Sequence, residues 1–238
     1  MSITVIFTGF MVMLLLMFLS MPVAVSILTV GGVGGYMAYG MPLVETMGGV
    51  VWGTLNNPVM TAIPLFMLLG ELLLRGGIAD RMFETLAVWL GRLPGGLLHT
   101  NIGTCALFSA TSGSSVATAA TVGTIALPAL GERDYPVRPA LGTLAAGGTL
   151  GILIPPSVNL LVYGSLANVS VGQLFIAGIL PGVLLTLLFS AYVAFSYPDA
   201  GRNSAAPEVS KEEKRRLLRH LVPPAVIFGI VMGSIYGG

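Results

Sequence analysis

The 238-residue chain has very little charge: only 9% of its residues are Asp, Glu, Lys or Arg, whereas 55% are hydrophobic. Its mean hydropathy is +0.90. Soluble globular domains carry about 25% charged residues, so this composition excludes one. The single cysteine, Cys105, excludes an internal disulfide and is expected to be a small buried apolar residue. The composition predicts an all-α protein that crosses a membrane several times.

No Lys or Arg precedes Arg75. A secretory signal peptide begins with a basic segment, which is not found here, so we expect the first apolar segment to be a retained helix. Cytoplasmic loops are enriched in Lys and Arg, which places the basic residues inside and the N-terminus outside. About six segments approach the roughly 20 residues that a span needs: Ile3 to Ser20, Pro22 to Tyr39, Val59 to Leu74, Ala140 to Leu166, Leu174 to Tyr197 and Leu221 to Gly238.

The stretch from Leu93 to Gly131 has no charged residue, yet the polar run Thr111 to Ser115 lies at its centre. Arg92 and Arg133 flank it too closely for two full spans and a loop, so we predict a re-entrant helical hairpin that enters from the cytoplasm. Non-helical polar backbone persists at membrane depth only where it is buried in protein or lines a water-filled cavity. The tip therefore predicts an ion or substrate site, and a packing surface of small residues is the alternative.

Two adjacent prolines, Pro155 and Pro156, interrupt the span from Ala140 to Leu166. Each proline removes a backbone donor and disfavours helical backbone at the residue before it. The helix must therefore break, and some carbonyl oxygens are left without a hydrogen-bond donor. Carbonyl and hydroxyl oxygens are ligands of hard cations, which makes a bound cation one interpretation. A simple kink satisfied by neighbouring helices is the other. Two polar breaks at similar depth favour a midplane site between discontinuous helices.

The remaining polar segments predict cytoplasmic features. Gly77 to Trp89 alternates charged and apolar residues, as in an amphipathic helix at the membrane interface; a partner-binding helix is the alternative. Asn203 to Pro207 is typical of a linker, and the basic run from Lys211 to Arg216 suits an anionic membrane leaflet. Nothing in this run indicates a nucleic-acid partner. Glu45 and Trp52 are assigned to an outer loop.

Several short motifs follow one another along the chain: Ile63-Pro64-Leu65-Phe66, Gly70-Glu71, Arg75 to Ala79, Leu93 to Leu97, Ser112 to Ala117, Ile154 to Ser157 and Tyr163-Gly164. In this order they resemble the large membrane subunit of tripartite ATP-independent periplasmic (TRAP) transporters of the dicarboxylate type. The resemblance implies an elevator-type transporter of inverted repeats that couples sodium to the uptake of organic acids such as C4-dicarboxylates, sialic acid or sugar acids. It also implies a periplasmic binding protein, a small four-helix membrane subunit and the bacterial inner membrane.

Members of that family are nearly twice as long and carry a second, inverted copy of the hairpin and broken helix. We therefore expect this chain to correspond to the first repeat, as a fragment or as half of a split transporter, and to transport little by itself. The expected segments are scaffold helices with an interfacial arm (1–92), the hairpin (93–131), the broken helix and following span (139–197), a cytoplasmic linker (198–220) and the start of a further span (221–238).

The resemblance places the functional site at the hairpin tip and the helix break, with sodium as the coupling ion and no organic cofactor. No Lys or Arg lies near either break, so a carboxylate would be bound by helix N-termini and backbone amides. The candidate sodium ligands are Ser112, Gly113, Ser114, Ser115, Gly148, Thr149 and Pro155. The candidate substrate contacts are Ser114, Ser115, Thr118, Pro156, Ser157 and Asn159.

Two other functions fit parts of the sequence. An ion channel also uses re-entrant hairpins and oxygen ligands, although no repeated filter motif is present. An intramembrane serine hydrolase would need a histidine within about 3 Å of Ser114 or Ser115. His99 lies roughly 20 Å from the tip by helical rise, and His220 belongs to the basic segment. The chain is therefore not expected to be an enzyme.

Overall fold

The computed structural model describes residues 3–200 and 209–237, and every regular element in these residues is helical. The predicted linker at residues 203–207 and Gly238 lie outside them. The described α-helices are α1 (Ile3–Phe18), α2 (Val23–Tyr39), α3 (Met41–Leu55), α4 (Pro58–Arg75), α5 (Ile78–Leu90), α6 (Leu97–Ser112), α7 (Ser115–Gly131), α8 (Val137–Leu153), α9 (Val158–Ala167), α10 (Val171–Ser196), α11 (Lys211–Leu217) and α12 (Val222–Gly237). A 3₁₀ turn, Leu218–Leu221, joins α11 to α12.

Four helical stretches in the described residues have the length and apolar composition to cross a membrane: Pro58–Arg75, Val137–Ala167, Val171–Ser196 and Glu212–Gly237. Helices α1, α2 and α7 are shorter apolar helices. Large apolar side chains such as Phe18 and Phe195 are exposed, as expected for surfaces that contact lipid rather than water. The chain is thus an all-α, multi-pass membrane protein, as its composition predicted.

The chain divides into two compact units, residues 1–57 and 58–238. In the first unit α1 packs on α2 and α2 packs on α3. In the second, α4 packs on α6 and α9, and α5 packs on α6. The boundary between the compact units thus lies before α4. The boundary between scaffold and hairpin that we expected after residue 92 is a functional one, and it stays a prediction.

Helix α3 corrects one expectation, because Glu45 and Trp52 lie within it and not in a loop. Pro42 occupies its first turn, where a helix needs no proline N–H. Gly40, with a φ of 68°, ends α2 and turns the chain into α3. The loop assignment failed because a glycine inside a helix costs only about 1 kcal/mol, so Gly48 and Gly49 do not prevent one.

The predicted hairpin is present as α6 and α7, joined through Gly113 and Ser114. The arms have 16 and 17 residues. They rise about 24 to 26 Å, somewhat less than the roughly 30 Å of a hydrocarbon core. Helix α8 packs against both arms. Helix α5 is amphipathic as predicted, with Met82, Phe83 and Val88 buried.

The predicted break separates α8 from α9, and residues 154–157 between them are not helical. Helix α10 supports this break through two glycines spaced four residues apart. A Cβ at Gly178 would lie 2.5 Å from the Leu153 carbonyl oxygen, and one at Gly182 would lie 2.8 Å from Ile154 Cγ1. Any larger side chain at either position would push α10 away from the break.

Candidate functional site

The hairpin tip and the helix break are in direct contact. The backbone N–H of Val158, the first residue of α9, donates to the carbonyl oxygen of Gly113 at 3.0 Å. Gly113 has a φ of 64°, and a Cβ there would lie 2.7 Å from the carbonyl oxygen of Pro156. The two polar breaks, far apart in sequence, therefore form one site.

Three glycines of α8 allow both hairpin arms to lie against its backbone. A Cβ at Gly151 would lie 2.7 Å from the Ser115 nitrogen, and one at Gly148 would lie 2.7 Å from Ala119 Cβ. A Cβ at Gly147 would lie 2.8 Å from Cys105 Cβ on the other arm. Side chains at these positions would separate α8 from the hairpin, so the glycines allow α8 and the hairpin to pack closely at the site.

A cluster of hydroxyl groups fills the inside of the tip, with Thr118 at its centre. The Thr118 hydroxyl donates to the Ser114 carbonyl oxygen at 2.7 Å. Its proton is thereby used, so it accepts from the Ser112 hydroxyl at 3.1 Å and from the Ser109 hydroxyl at 3.3 Å. Ser109, Ser112 and Thr118 are buried. The tip thus holds several oxygen atoms in a space closed to solvent.

Four helix ends of opposite polarity meet at this site. Helices α6 and α8 end here, at Ser112 and Leu153, so their negative C-terminal ends and free carbonyl oxygens lie here. Helices α7 and α9 begin here, so their positive N-terminal ends also lie at this site. Ser114 caps α7 by accepting from the Ala117 N–H at 3.3 Å. The arrangement offers ligands for a cation and donors for an anion side by side.

The two prolines free two specific carbonyl oxygens. In a continuous helix the N–H groups of Pro155 and Pro156 would bond the carbonyls of Gly151 and Ile152, but proline has no N–H. The Ser157 hydroxyl replaces one of them and donates to the Ile152 oxygen at 2.8 Å. The carbonyl of Gly151 is left without its helical donor, and Gly151 itself lies beside Ser115.

The structure brings most of the candidate ligands together but not all of them. Among the proposed sodium ligands, Ser112, Gly113, Ser114 and Ser115 form the tip, Gly148 lies beside the Ser115 carbonyl, and Pro155 is buried in the break. Thr149 points elsewhere: its side chain is exposed and its hydroxyl donates to the Ala146 oxygen at 2.6 Å. Among the proposed substrate contacts, Ser114, Ser115, Thr118, Pro156 and Ser157 lie at the junction, whereas Asn159 is exposed on α9.

Three residues of the site were not among the sequence candidates, and Gly151 of α8, which lies against Ser115, is one of them. Ser109 joins the hydroxyl cluster from one turn below the tip. Gly70 of α4 abuts the tip, because a Cβ there would lie 3.2 Å from Ser112 Cβ. Gly70 belongs to one of the quoted motifs, but Ser109 could only be found once its position on α6 relative to α7 was known.

The site contains no charged side chain, and its donor set suits a hard cation. Within the described residues no group of three or more His, Cys, Asp or Glu side chains could hold a metal ion. Hydroxyl and carbonyl oxygens are hard ligands, so they fit sodium better than a transition metal. His99 lies at the opposite end of α6 from Ser112 and bonds the Pro94 carbonyl oxygen at 2.7 Å, so it does not pair with a tip serine.

The family model described as "Tripartite ATP-independent periplasmic transporter, DctM component" matches residues 10–238. The chain belongs to this family. The TRAP resemblance of the motifs is thereby confirmed, and the elements at the site lie inside the matched region.

Several curated relatives are similar to the chain. The ectoine/5-hydroxyectoine TRAP transporter large permease protein of Ruegeria pomeroyi is 31% identical over 97% of this chain and 54% of its own length. The C4-dicarboxylate TRAP transporter large permease protein of Pseudomonas aeruginosa is 36% identical over 82% of this chain and 45% of its own length. The sialic acid TRAP transporter permease protein of Haemophilus influenzae is 36% identical over 76% of this chain and 30% of its own length. The chain spans about half the length, or less, of these relatives.

Proposed function

We propose that this chain forms part of the membrane permease of a TRAP transporter that couples sodium to the uptake of organic acids. A periplasmic binding protein would deliver the acid, and a small four-helix membrane subunit would support the permease. The proposed location is the bacterial inner membrane, with the N-terminus periplasmic and the basic segments cytoplasmic. We propose no enzymatic activity. The observation that carries the proposal is the meeting of two discontinuous helices, joined by the bond from Val158 to Gly113.

Sodium would bind at the C-terminal ends of α6 and α8. The hydroxyl of Ser112 and the carbonyl of Gly151 that Pro155 leaves without a helical donor are our leading ligands, with further carbonyls of the tip completing the shell. Thr149 is not a leading ligand, because its side chain is exposed. The negative ends of both helices favour a cation at this point.

The carboxylate would bind at the N-terminal ends of α7 and α9. The first N–H groups of a helix have no intrahelical partner, and a helix N-terminus favours an anion. Val158 and Ala117 already donate to Gly113 and Ser114, so the carboxylate would bind the other N–H groups of these first turns. This would explain how a site without Lys or Arg could bind an acid. The relatives are named for C4-dicarboxylates, sialic acid and ectoine, so a shared backbone site with variable surroundings is consistent with several substrates.

Binding of the two ions would be coupled by their attraction. Two opposite unit charges about 6 Å apart at an effective dielectric constant of 20 attract by roughly 3 kcal/mol. This corresponds to a change in affinity of about 100-fold, which by linkage applies equally to both ligands. Because tip and break are joined at Gly113 and along the α8 glycines, they would move as one body with both ligands.

The sodium site is tested by thermal unfolding of the purified chain in detergent, in NaCl and in KCl. A ligand at 100 times its Kd stabilises by about 2.7 kcal/mol, so sodium should raise the Tm of the wild type above its value in KCl. Ser112→Ala should reduce this difference. Thr124→Val is the matched control on α7, because the Thr124 hydroxyl bonds only the Thr121 carbonyl of its own helix. Equal Tm values in both salts for the wild type would refute the sodium site.

Transport is tested in proteoliposomes that hold the chain with the complementary half of a family permease, the small subunit and the binding protein. Uptake of radiolabelled C4-dicarboxylate or sialic acid should require an inward sodium gradient and fall with Ser112→Ala but not with Thr124→Val. Uptake that is indifferent to sodium would refute the coupling. Electrical conductance far above transporter turnover would favour an ion channel instead.

A further inference from the structure

The first two turns of α6 contain four buried polar atoms that lack a hydrogen-bond partner among the described residues. They are His99 Nδ1, Thr100 Oγ1, Asn101 Oδ1 and Thr104 Oγ1. The exposed fraction is 3% for His99 and 0% for the other three residues. Native proteins leave few buried polar atoms without a partner, so four within two turns indicate a bound molecule. They lie at the end of α6 opposite the tip and belong to no part of the proposed ion site.

The orientation of Asn101 is fixed by its neighbour on α8. Its amide nitrogen donates to Thr143 Oγ1 at 3.0 Å. The Thr143 hydroxyl donates in turn to the carbonyl oxygens of Pro139 and Ala140, at 2.9 and 3.0 Å, so it can only accept from Asn101. The Asn101 carbonyl oxygen is therefore the group left over, and it needs a donor.

The spacing of the other atoms suits one bridging molecule. Thr100 and Thr104 are four residues apart and Asn101 precedes Thr104 by three, so all three lie on one face of the helix. Side chains at these spacings have Cβ atoms about 5 to 6 Å apart. That separation matches two hydrogen bonds that meet at a small molecule between the side chains.

The donor and acceptor balance identifies the molecule. The Thr100 and Thr104 hydroxyl protons need acceptors, whereas Asn101 Oδ1 needs a donor. His99 Nε2 lies 2.7 Å from the Pro94 carbonyl oxygen, so Nε2 is the donor and Nδ1 also needs one. An anion could not donate to these acceptors. A cation would be repelled by the positive N-terminal end of α6, and it would leave the hydroxyl protons without acceptors. Water can both donate and accept hydrogen bonds.

We infer that the base of α6 binds structural water, with one molecule bridging Thr100, Asn101 and Thr104. By bonding Asn101 Oδ1, this water fixes the side chain whose amide nitrogen bonds Thr143 of α8, at the end of α6 remote from the tip. The hairpin thus contacts α8 at three levels: the bond from Asn101 to Thr143, the contact of Gly147 with Cys105, and the contact of Gly151 with Ser115.

A double-mutant cycle on the purified chain tests the water. Thr100→Val and Thr104→Val each keep the side-chain shape and remove the hydroxyl. If both hydroxyls share one water, each change lowers the Tm by about 2–4 °C, and the double variant loses clearly less than the sum. A raised Tm in either single variant would show that the hydroxyl had no partner at all. Additive losses would show separate partners, and either result would overturn the inference.

Two further arms separate water from its alternatives. Thr186→Val is the control, because the Thr186 hydroxyl bonds the Gly182 carbonyl of its own helix; combined with Thr104→Val it should give an additive loss. The cycle is repeated in NaCl and KCl, and a coupling that appears only in NaCl would assign a sodium ion instead.

Radiolytic hydroxyl labelling provides a readout that does not depend on stability. Phe108 is 1% exposed and lies one turn above Thr104, so bulk solvent cannot reach it but radicals formed from the bound water can. We expect labelling of Phe108 in the wild type that the double variant loses. An unlabelled Phe108, or equal labelling in both proteins, would contradict bound water.

Discussion

The backbone N–H of Val158 donates to the carbonyl oxygen of Gly113 at 3.0 Å. The first N–H groups of a helix need partners from outside it, and here the turn of the hairpin supplies one to α9. The start of α9 is therefore fixed by the hairpin, although each segment breaks for its own reason: a left-handed glycine in one and two prolines in the other.

Gly113→Ala should destabilise the chain by at least about 2 kcal/mol. Alanine disfavours a φ of 64° by roughly 1–2 kcal/mol, and its Cβ would lie 2.7 Å from the Pro156 oxygen. Thermal unfolding can be followed by the reaction of a maleimide dye with Cys105, the single and buried thiol. The matched control is Gly123→Ala on α7, where a Cβ meets nothing within 4 Å and helix propensity should raise stability by about 0.5–1 kcal/mol. Equal Tm values for the two variants would contradict the tight tip.

Gly151→Ala tests the contact between α8 and the start of α7. Its Cβ would approach backbone atoms of Ser114 and Ser115 to between 2.7 and 2.9 Å, and backbone cannot move aside as a flexible side chain can. We expect a loss of about 1–3 kcal/mol from overpacking in thermal unfolding. Gly142→Ala on the same helix meets nothing within 4 Å and should be neutral or stabilising, so similar losses in both would point to a general effect of alanine in α8.

The two breaks could be located from the sequence because their signals are local. A Ser/Gly run without charge and a pair of prolines alter the backbone wherever they occur. The direction in which a helical side chain points cannot be predicted in this way, because it depends on which face of the helix neighbouring helices cover. Thr149 and Gly148 are adjacent, yet Gly148 faces α7 and Thr149 is exposed. The glycines at 147 and 151, four residues apart, were the available signal for the packed face.

Long-range polar pairs could not be predicted. Asn101 and Thr143 are separated by 42 positions, and no pattern in either helix marks them as partners. Helix α3 was missed for the opposite reason: Gly48, Gly49 and Pro42 are typical of loops, but a proline in the first turn is compatible with a helix.

Tyr135→Phe should weaken the start of the hairpin. The Tyr135 hydroxyl accepts from the Leu97 N–H at 3.0 Å, and both residues are buried. Removing the hydroxyl leaves a buried N–H without a partner, which costs about 1–3 kcal/mol. Hydrogen exchange at the first turn of α6 should accelerate together with a fall in Tm. Tyr163→Phe, at an exposed position of α9, is the control, and unchanged exchange at Leu97 would argue against the bond.

Glu71→Gln should leave stability within about 0.5 kcal/mol of the wild type. Glu71 Oε1 lies 2.7 Å from Arg75 Nε, but the two side chains are 50% and 79% exposed, and exposed pairs of this kind contribute little. Sodium-dependent stabilisation should also be unchanged, because the Glu71 carboxylate is exposed and pairs with Arg75. A loss of the sodium response in this variant would instead implicate the Glu71 carboxylate in ion binding.

Ser157→Ala addresses how the broken helix tolerates its prolines. Pro156 cannot donate to the Ile152 carbonyl, and the fully buried Ser157 hydroxyl donates to it at 2.8 Å instead. Alanine would leave that carbonyl without a donor, so we expect a loss of about 1–3 kcal/mol in thermal unfolding. Ser157→Thr keeps the hydroxyl and serves as the rescue variant, so its loss should be clearly smaller. If alanine and threonine destabilise equally, the side-chain volume at position 157 matters and the hydroxyl does not. If neither does, the Ile152 carbonyl finds another donor, and the break is satisfied in some way other than through Ser157.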